Sequence, residues 1–188
     1  MRYRRAKVKG GTYFFTVVTN RRIKIFKKPH KVQLLREAFK YIMDRHPFKI
    51  DAFVLLPDHL HCIWTLPCDD ANYSTRWRLI KSYFSRKFDS VGWVDEGNPT
   101  PRINTASRFK KKEKPIWQRR FWEHLIRDDR DFKRHVEYIH FNPVKHGLAA
   151  SPKDWLNSSF HRYVNKGIYN LEWGAGSSFE FDQSVGYE

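Results

Sequence analysis

Residues 48–64 read FKIDAFVLLPDHLHCIW, and how this stretch folds decides the architecture of the chain. FKIDAFVLLP (48–57) is rich in β-branched and aromatic residues, as a strand requires, and Pro57-Asp58 stops it. A second strand-like run, HLHCIWTLP (59–67), follows at once. The connection LPDHL is short enough to be a hairpin turn, so the two strands are expected to pair antiparallel.

Outward from that hairpin the pattern alternates. GTYFFTVVTN (11–20) is predicted as an earlier strand. In KVQLLREAFKYIMDRH (31–46), Val32, Leu35, Phe39 and Ile42 recur at helical spacing, and Pro47 closes the helix. YSTRWRLIKSYFSRKF (73–88) is predicted as a basic amphipathic helix with Trp77, Ile80 and Phe84 on one face, capped by Asn72 or Ser74. Residues 89–115, which include RFKKKEK, have the composition of a long loop. IWQRRFWEHLI (116–126) is predicted as a fourth strand, and 128–147 as a helix opened by aspartates and ended near Asn142-Pro143. The order strand–helix–strand–strand–helix–strand predicts an α+β, ferredoxin-like split βαβ sandwich, an antiparallel sheet with two helices on one face. An aromatic C-terminal extension completes it. The expected division is residues 1–150 as the domain and 151–188 as an extension packing on or covering it.

Charge narrows the function. Lys and Arg number 36 against 20 Asp and Glu, giving +16 and a pI near 10.0. Residues 1–50 hold fifteen basic and two acidic side chains, and residues 101–150 hold thirteen and six. Clustering of this kind, interleaved with aromatic rings that stack on bases, fits a nucleic-acid partner. No apolar run reaches the roughly 20 residues needed to span a membrane. The basic N-terminus is followed by a strand pattern in place of a signal-peptide apolar region. Cys62 and Cys68 are the two cysteines, a usage that suits a reducing cytosol.

The chemistry-bearing residues fall in two stretches. On a strand, His59 and His61 project to one face while Leu60 and Cys62 point to the other. Imidazoles about 7 Å apart along a strand can converge on one cation, with Phe53, Leu55 and Ile63 expected to support them. The plainer alternative is a pair of edge histidines bonded to solvent. In VEYIHFNPVKHGL (136–148), Tyr138 and Asn142 are four residues apart and share a helix face, offset by about 40°. A phenol with an ordinary pKa near 10 is a poor nucleophile at neutral pH unless a cation polarises the phosphate it attacks. Asn142 offers a hard carbonyl oxygen suited to Mg²⁺ or Mn²⁺, and two imidazoles favour Mn²⁺. Alternatively, Tyr138 is a core aromatic and Asn142 a helix terminator. His124 and His135 are expected in hydrogen-bonded structural roles.

LLPDHLHCIW, WQRRFWEHLIRDDRDF and YIHFNPVKHGL, in this order and spacing across residues 10–165, resemble the single-tyrosine HUH transposases. The similarity is to the branch associated with repetitive extragenic palindromes (REP). The resemblance implies that His59 and His61 are a metal-binding pair, Tyr138 the nucleophile and Asn142 the third metal ligand, where insertion-sequence members commonly carry Gln. It further implies Mg²⁺- or Mn²⁺-dependent cleavage and rejoining of single-stranded DNA beside a hairpin, through a 5′-phosphotyrosine. Arg2, Arg4, Arg5 and Lys7 of the N-terminal arm, Arg76, Arg78 and Lys81 of the basic helix, and Lys110, Lys111 and Lys112 are the expected DNA contacts. A monomer is expected, with a dimer exchanging tyrosine helices as the alternative. Two rival functions share these residues: a catalytically silent hairpin DNA- or RNA-binding module, and a metal nuclease in which water attacks.

Overall fold

The computed structural model describes residues 6–88 and 116–176. Arg2, Arg4, Arg5, the 89–115 segment with Lys110, Lys111 and Lys112, and residues 177–188 lie outside the described residues.

Four strands form one antiparallel sheet in the order β2-β3-β1-β4: β1 (Thr12–Val18), β2 (Lys49–Leu55), β3 (His59–Thr65) and β4 (Trp122–Leu125). Helix α1 (Pro29–Met43) connects β1 to β2, and α2 (Tyr73–Lys87) lies between β3 and β4. This is the split βαβ expected from the element order. The 48–64 hairpin forms as expected, closed by a hydrogen bond from Leu56 N–H to His59 O at 2.8 Å. Asn72 caps α2 by accepting from Thr75 N at 3.1 Å.

Central β1, TYFFTVV, is buried from Tyr13 to Val18 because both its faces are covered. Tyr13, Phe15 and Val17 point to the layer of α1 and α2, into a core with Trp64, Trp77, Phe39 and Phe84. Trp64 and Trp77 stack at 4.3 Å between centroids, 18° from parallel. Phe14 points the other way and packs with Ala52, Val54, Ile63 and Tyr138 under helix α3 (Asp129–Lys145). Asp128 caps α3 by accepting from Asp131 N at 2.8 Å. The sheet is therefore a wall between two layers, and on its second face α3 is joined by Tyr163 and Trp155 from the chain that follows it.

Three expectations need correction. The fourth strand shortens to Trp122–Leu125, since Trp117 makes only an isolated bridge with Thr19. Phe53 and Leu55 pair opposite Cys62 and Leu60, so alternation sends them to the α1–α2 side; Val54, opposite His61, flanks the histidines instead. Most consequentially, α3 does not end at Asn142-Pro143 but runs through Pro143 to Lys145. Proline in a helix loses one backbone bond, but Phe141, Asn142 and Pro143 are all buried, and that packing outweighs the local preference.

The chain after α3 returns to the exposed edge of β2. Leu55 N donates to Asn157 O and Ser159 N to Phe53 O, both at 2.8 Å, and Val54 bridges Ser158. This covers an edge that would otherwise present unpaired backbone. Helix α4 (Phe160–Asn165) follows. Trp155 Nε1 donates to Leu55 O at 2.9 Å, and His140 of α3 shares a 2.8 Å hydrogen bond with Ser159 Oγ.

Candidate active site

On the α3 side of the sheet, the strand alternation that buries Cys62 among apolar side chains turns His59 and His61 toward the tyrosine helix. Their rings lie 5.0 Å apart between centroids and nearly perpendicular, closer than bare strand spacing suggests. Tyr138 presents its ring 5.2 Å from that of His61, and His146 lies 5.3 Å from His59. Asn142 sits one turn beyond Tyr138 on the same helix and is fully buried. His59, His61 and Tyr138 are thus brought together from positions nearly eighty residues apart in the chain.

Neighbouring side chains fix how each imidazole presents its nitrogens. Asp58 Oδ1 lies 2.6 Å from His59 Nδ1. A carboxylate only accepts, so Nδ1 carries the proton and Nε2 carries the lone pair. That Nε2 is buried and lacks a hydrogen-bond partner. Thr16 Oγ1 shares a 2.9 Å hydrogen bond with His61 Nδ1, across the β1–β3 register that pairs the two residues. The ligating atom of His61 would then also be Nε2. Carboxylate and hydroxyl partners behind ligating histidines orient the rings and raise their basicity. Two imidazole nitrogens, with the amide oxygen of Asn142 on the same helix as Tyr138, are donor types that suit a divalent cation.

Burial works to raise the Asp58 carboxyl, but the hydrogen bond from His59 and the guanidinium of Arg22 help outweigh it, and the group lies below the usual carboxylate range. Arg22 reaches Asp58 Oδ2 at 3.4 Å from a turn in which Arg21 and Arg22 both have φ of +53°. Left-handed backbone at non-glycine residues costs on the order of 1 kcal/mol each, and here the strained turn delivers a guanidinium to the carboxylate behind His59. At the far end of α3, Lys145 Nζ donates to Tyr138 Oη at 3.3 Å and lies 4.8 Å from its ring centroid.

His124, Asp131 and His135 form a second polar group, with potential ligand atoms all within 4.8 Å of one another. Asp131 Oδ2 is 2.8 Å from His124 Nε2, and Asp131 Oδ1 is 3.1 Å from His135 Nδ1. The two rings stack at 4.6 Å between centroids, 16° from parallel, with Asp131 bonded to both. Through these contacts the group joins β4 to the start of α3. Burial dominates at His135 and pushes its imidazole below the ordinary value.

The expected DNA contacts separate. Arg76 is buried, and its guanidinium is spent on His46 O, Asn72 O and Pro47 O and on Asp70 at 2.7 Å. It ties α2 to the α1–β2 connection and has no face for phosphate, which corrects its assignment as a DNA contact. Lys81 Nζ donates to Gln118 O at 2.9 Å. Lys7 and Arg78 are exposed, but α2 packs on the sheet face opposite the histidines. Asp58, Thr16, Arg22 and Lys145 belong to the site and were absent from the sequence reading. Asp58 adjoins His59 and could have been noticed; Thr16 needed the strand register.

Among the described residues no helix is long and apolar enough to cross a membrane. The family described as "Transposase IS200 like" matches residues 7–92. A REP-associated tyrosine transposase of Escherichia coli is 43% identical over 180 residues, covering 95% of this chain and 93% of that protein. A Haemophilus influenzae protein that bears the same family name is 43% identical over 183 residues, covering 97% and 98%. The structure of a REP-associated tyrosine transposase bound to a REP hairpin superposes with a TM-score of 0.74 at 40% identity, covering 100% of this chain and 99% of that one. Identity at this level over nearly the whole chain, on the same sheet and helices, places it: the chain belongs to the REP-associated tyrosine transposases, a family of HUH-type transposases.

Proposed function

We propose that this protein cleaves and rejoins single-stranded DNA beside a REP-type hairpin, with Tyr138 as nucleophile and His59, His61 and Asn142 as ligands of Mg²⁺ or Mn²⁺. The observation that carries this reading is the meeting of His59, His61 and Tyr138 on one sheet face, at ring separations of 5.0 and 5.2 Å. A divalent cation bound there would polarise the scissile phosphate. Tyr138 Oη attacks phosphorus, the bond to the 3′-oxygen breaks, and the 5′-phosphate stays on the tyrosine. Attack by a 3′-hydroxyl on that phosphotyrosine reverses the step, and because the ester conserves the bond energy, rejoining needs no ATP.

Hairpin binding is assigned to Lys7 and Arg78, together with Arg2, Arg4, Arg5 and Lys110–Lys112. Lys81 also remains in the set, since an ammonium has three donors and Gln118 takes one. Each true phosphate contact steepens the log–log salt dependence by about 0.7 to 0.9. The protein acts as a monomer in this reading: α3 lays Tyr138 against the histidines of its own chain, so no exchange of helices is needed to complete the site. Residues 151–188 are assigned as an extension of the 1–150 domain, supported by the backbone bonds that Asn157 and Ser159 make with β2.

One observation favours a rival. Tyr138 has no exposed surface, as a purely structural tyrosine beside a water-using nuclease site would have. Labelled hairpin DNA with Mn²⁺, Mg²⁺ or EDTA separates the readings on a denaturing gel. The proposal expects a metal-dependent adduct that survives SDS and is absent from Tyr138→Phe. Cleavage by both proteins without an adduct identifies the nuclease, and binding by both without cleavage identifies a recognition module.

A further inference from the structure

Tyr138 lies on helix α3, and continuation of that helix through Pro143 sets Lys145 seven residues on. Seven residues are two turns less about 20°, so both side chains share one face. The lysine is an exposed residue, yet its ammonium turns back, donating to Tyr138 Oη at 3.3 Å and lying 4.8 Å from the ring centroid. From these contacts we propose that Lys145 is a catalytic residue, the cation that stabilises negative charge on the Tyr138 oxygen. The inference rests on Tyr138 being the nucleophile.

Charge bookkeeping shows where the effect falls. In cleavage the Oη–P bond forms, the P–O3′ bond breaks with its electron pair going to O3′, the phenol proton passes to water, and solvent protonates the 3′-oxygen. In rejoining, the 3′-hydroxyl oxygen attacks phosphorus and loses its proton to water, and the Oη–P bond breaks with its pair returning to Oη. A charged ammonium cannot accept the phenol proton, so Lys145 is no general base. It is a fixed donor aimed at the atom that carries charge in the leaving state. The rejoining direction, in which phenolate is expelled, depends on it most. Around the phenol, His61 meets it ring to ring and Phe14 edge-on.

The test measures single-turnover adduct formation and its reversal at saturating labelled hairpin DNA with Mn²⁺, for the parent protein, Lys145→Met, Lys145→Arg and Lys145→Ala. Removing a donor aimed at developing oxyanion charge costs about 10²- to 10³-fold in closed sites, and for this exposed lysine a loss of roughly 10- to 100-fold in rejoining is expected. The loss in cleavage should be smaller, Lys145→Arg should retain most of both rates, and ethylammonium should restore part of the Lys145→Ala loss. Hairpin affinity, measured in the Tyr138→Phe background, should change by no more than a single phosphate contact would change it. Parent rates in Lys145→Met overturn the assignment, as does a loss confined to affinity or one that ethylammonium and arginine leave unrepaired. Absence of any adduct from the parent protein overturns the nucleophile reading itself, and this inference with it.

Discussion

The two faces of the sheet solve different problems with the same strands. Toward α1 and α2, β1 and β3 present Tyr13, Phe15, Leu60, Cys62 and Trp64, and the layer is filled by aromatic packing. Toward α3, the alternate residues are Phe14, Thr16, His59, His61 and Ile63, met by His135, Tyr138 and Asn142. The residues named on both faces are buried. On the second, every buried histidine of the strands has its Nδ1 bound to a neighbouring oxygen, Asp58 for His59 and Thr16 for His61. Burying imidazoles without such partners costs several kcal/mol. The comparison teaches that one face supplies stability so that the other can hold polar groups in a fixed array.

Substitutions should separate the two roles. Trp77→Ala, which empties a site stacked on Trp64 and edge-packed on Phe39, should cost about 3–5 kcal/mol in denaturant unfolding. The fraction still folded should cleave normally, because no contact of Trp77 reaches the histidines. A Trp77→Ala protein that keeps full stability would break the division of labour.

Asp58→Asn should do the reverse. It leaves the core untouched, yet weakens the hold on the His59 tautomer and should lower Mn²⁺ affinity by about 10- to 100-fold in calorimetry. Unchanged metal affinity would mean that Asp58 serves the hairpin turn and not the site.

The smallest effect concerns His135. Its folded-state value is depressed by burial, so below the ordinary imidazole pKa near 6.5 the unfolded chain takes up a proton that the folded chain refuses. Stability is therefore complete above about pH 6.5 and falls on acidification, at up to about 1.4 kcal/mol per pH unit while only the unfolded state binds the proton. His135→Phe should flatten this decline between pH 7 and 5. An identical slope in the variant would place the acid sensitivity elsewhere.

Much of this was legible in the chain, and the exceptions share a cause. The 48–64 hairpin, α1 and α2 follow from periodicity, because their apolar spacing agrees with the packing that tertiary structure imposes. His59, His61 and Tyr138 stood out because strand alternation and motif order both pointed to them. Thr16 did not: its place behind His61 exists only through the β1–β3 register, which local sequence does not encode. Lys145 was hidden by a rule correctly applied, since a residue before proline disfavours helix, and only the burial of Phe141 and Pro143 carries α3 past it. Arg76 was misjudged because composition cannot distinguish a surface cation from one whose guanidinium bonds three backbone carbonyls.

The most direct test of the central claim is to digest the protein after reaction with a single-stranded hairpin oligonucleotide and Mn²⁺, and to locate the added mass. The account expects a nucleotide 5′-phosphate on the peptide that contains Tyr138, at that tyrosine, and no such peptide from Tyr138→Phe. Cleaved DNA with an unmodified Tyr138 peptide, or the same adduct on another residue, would contradict it.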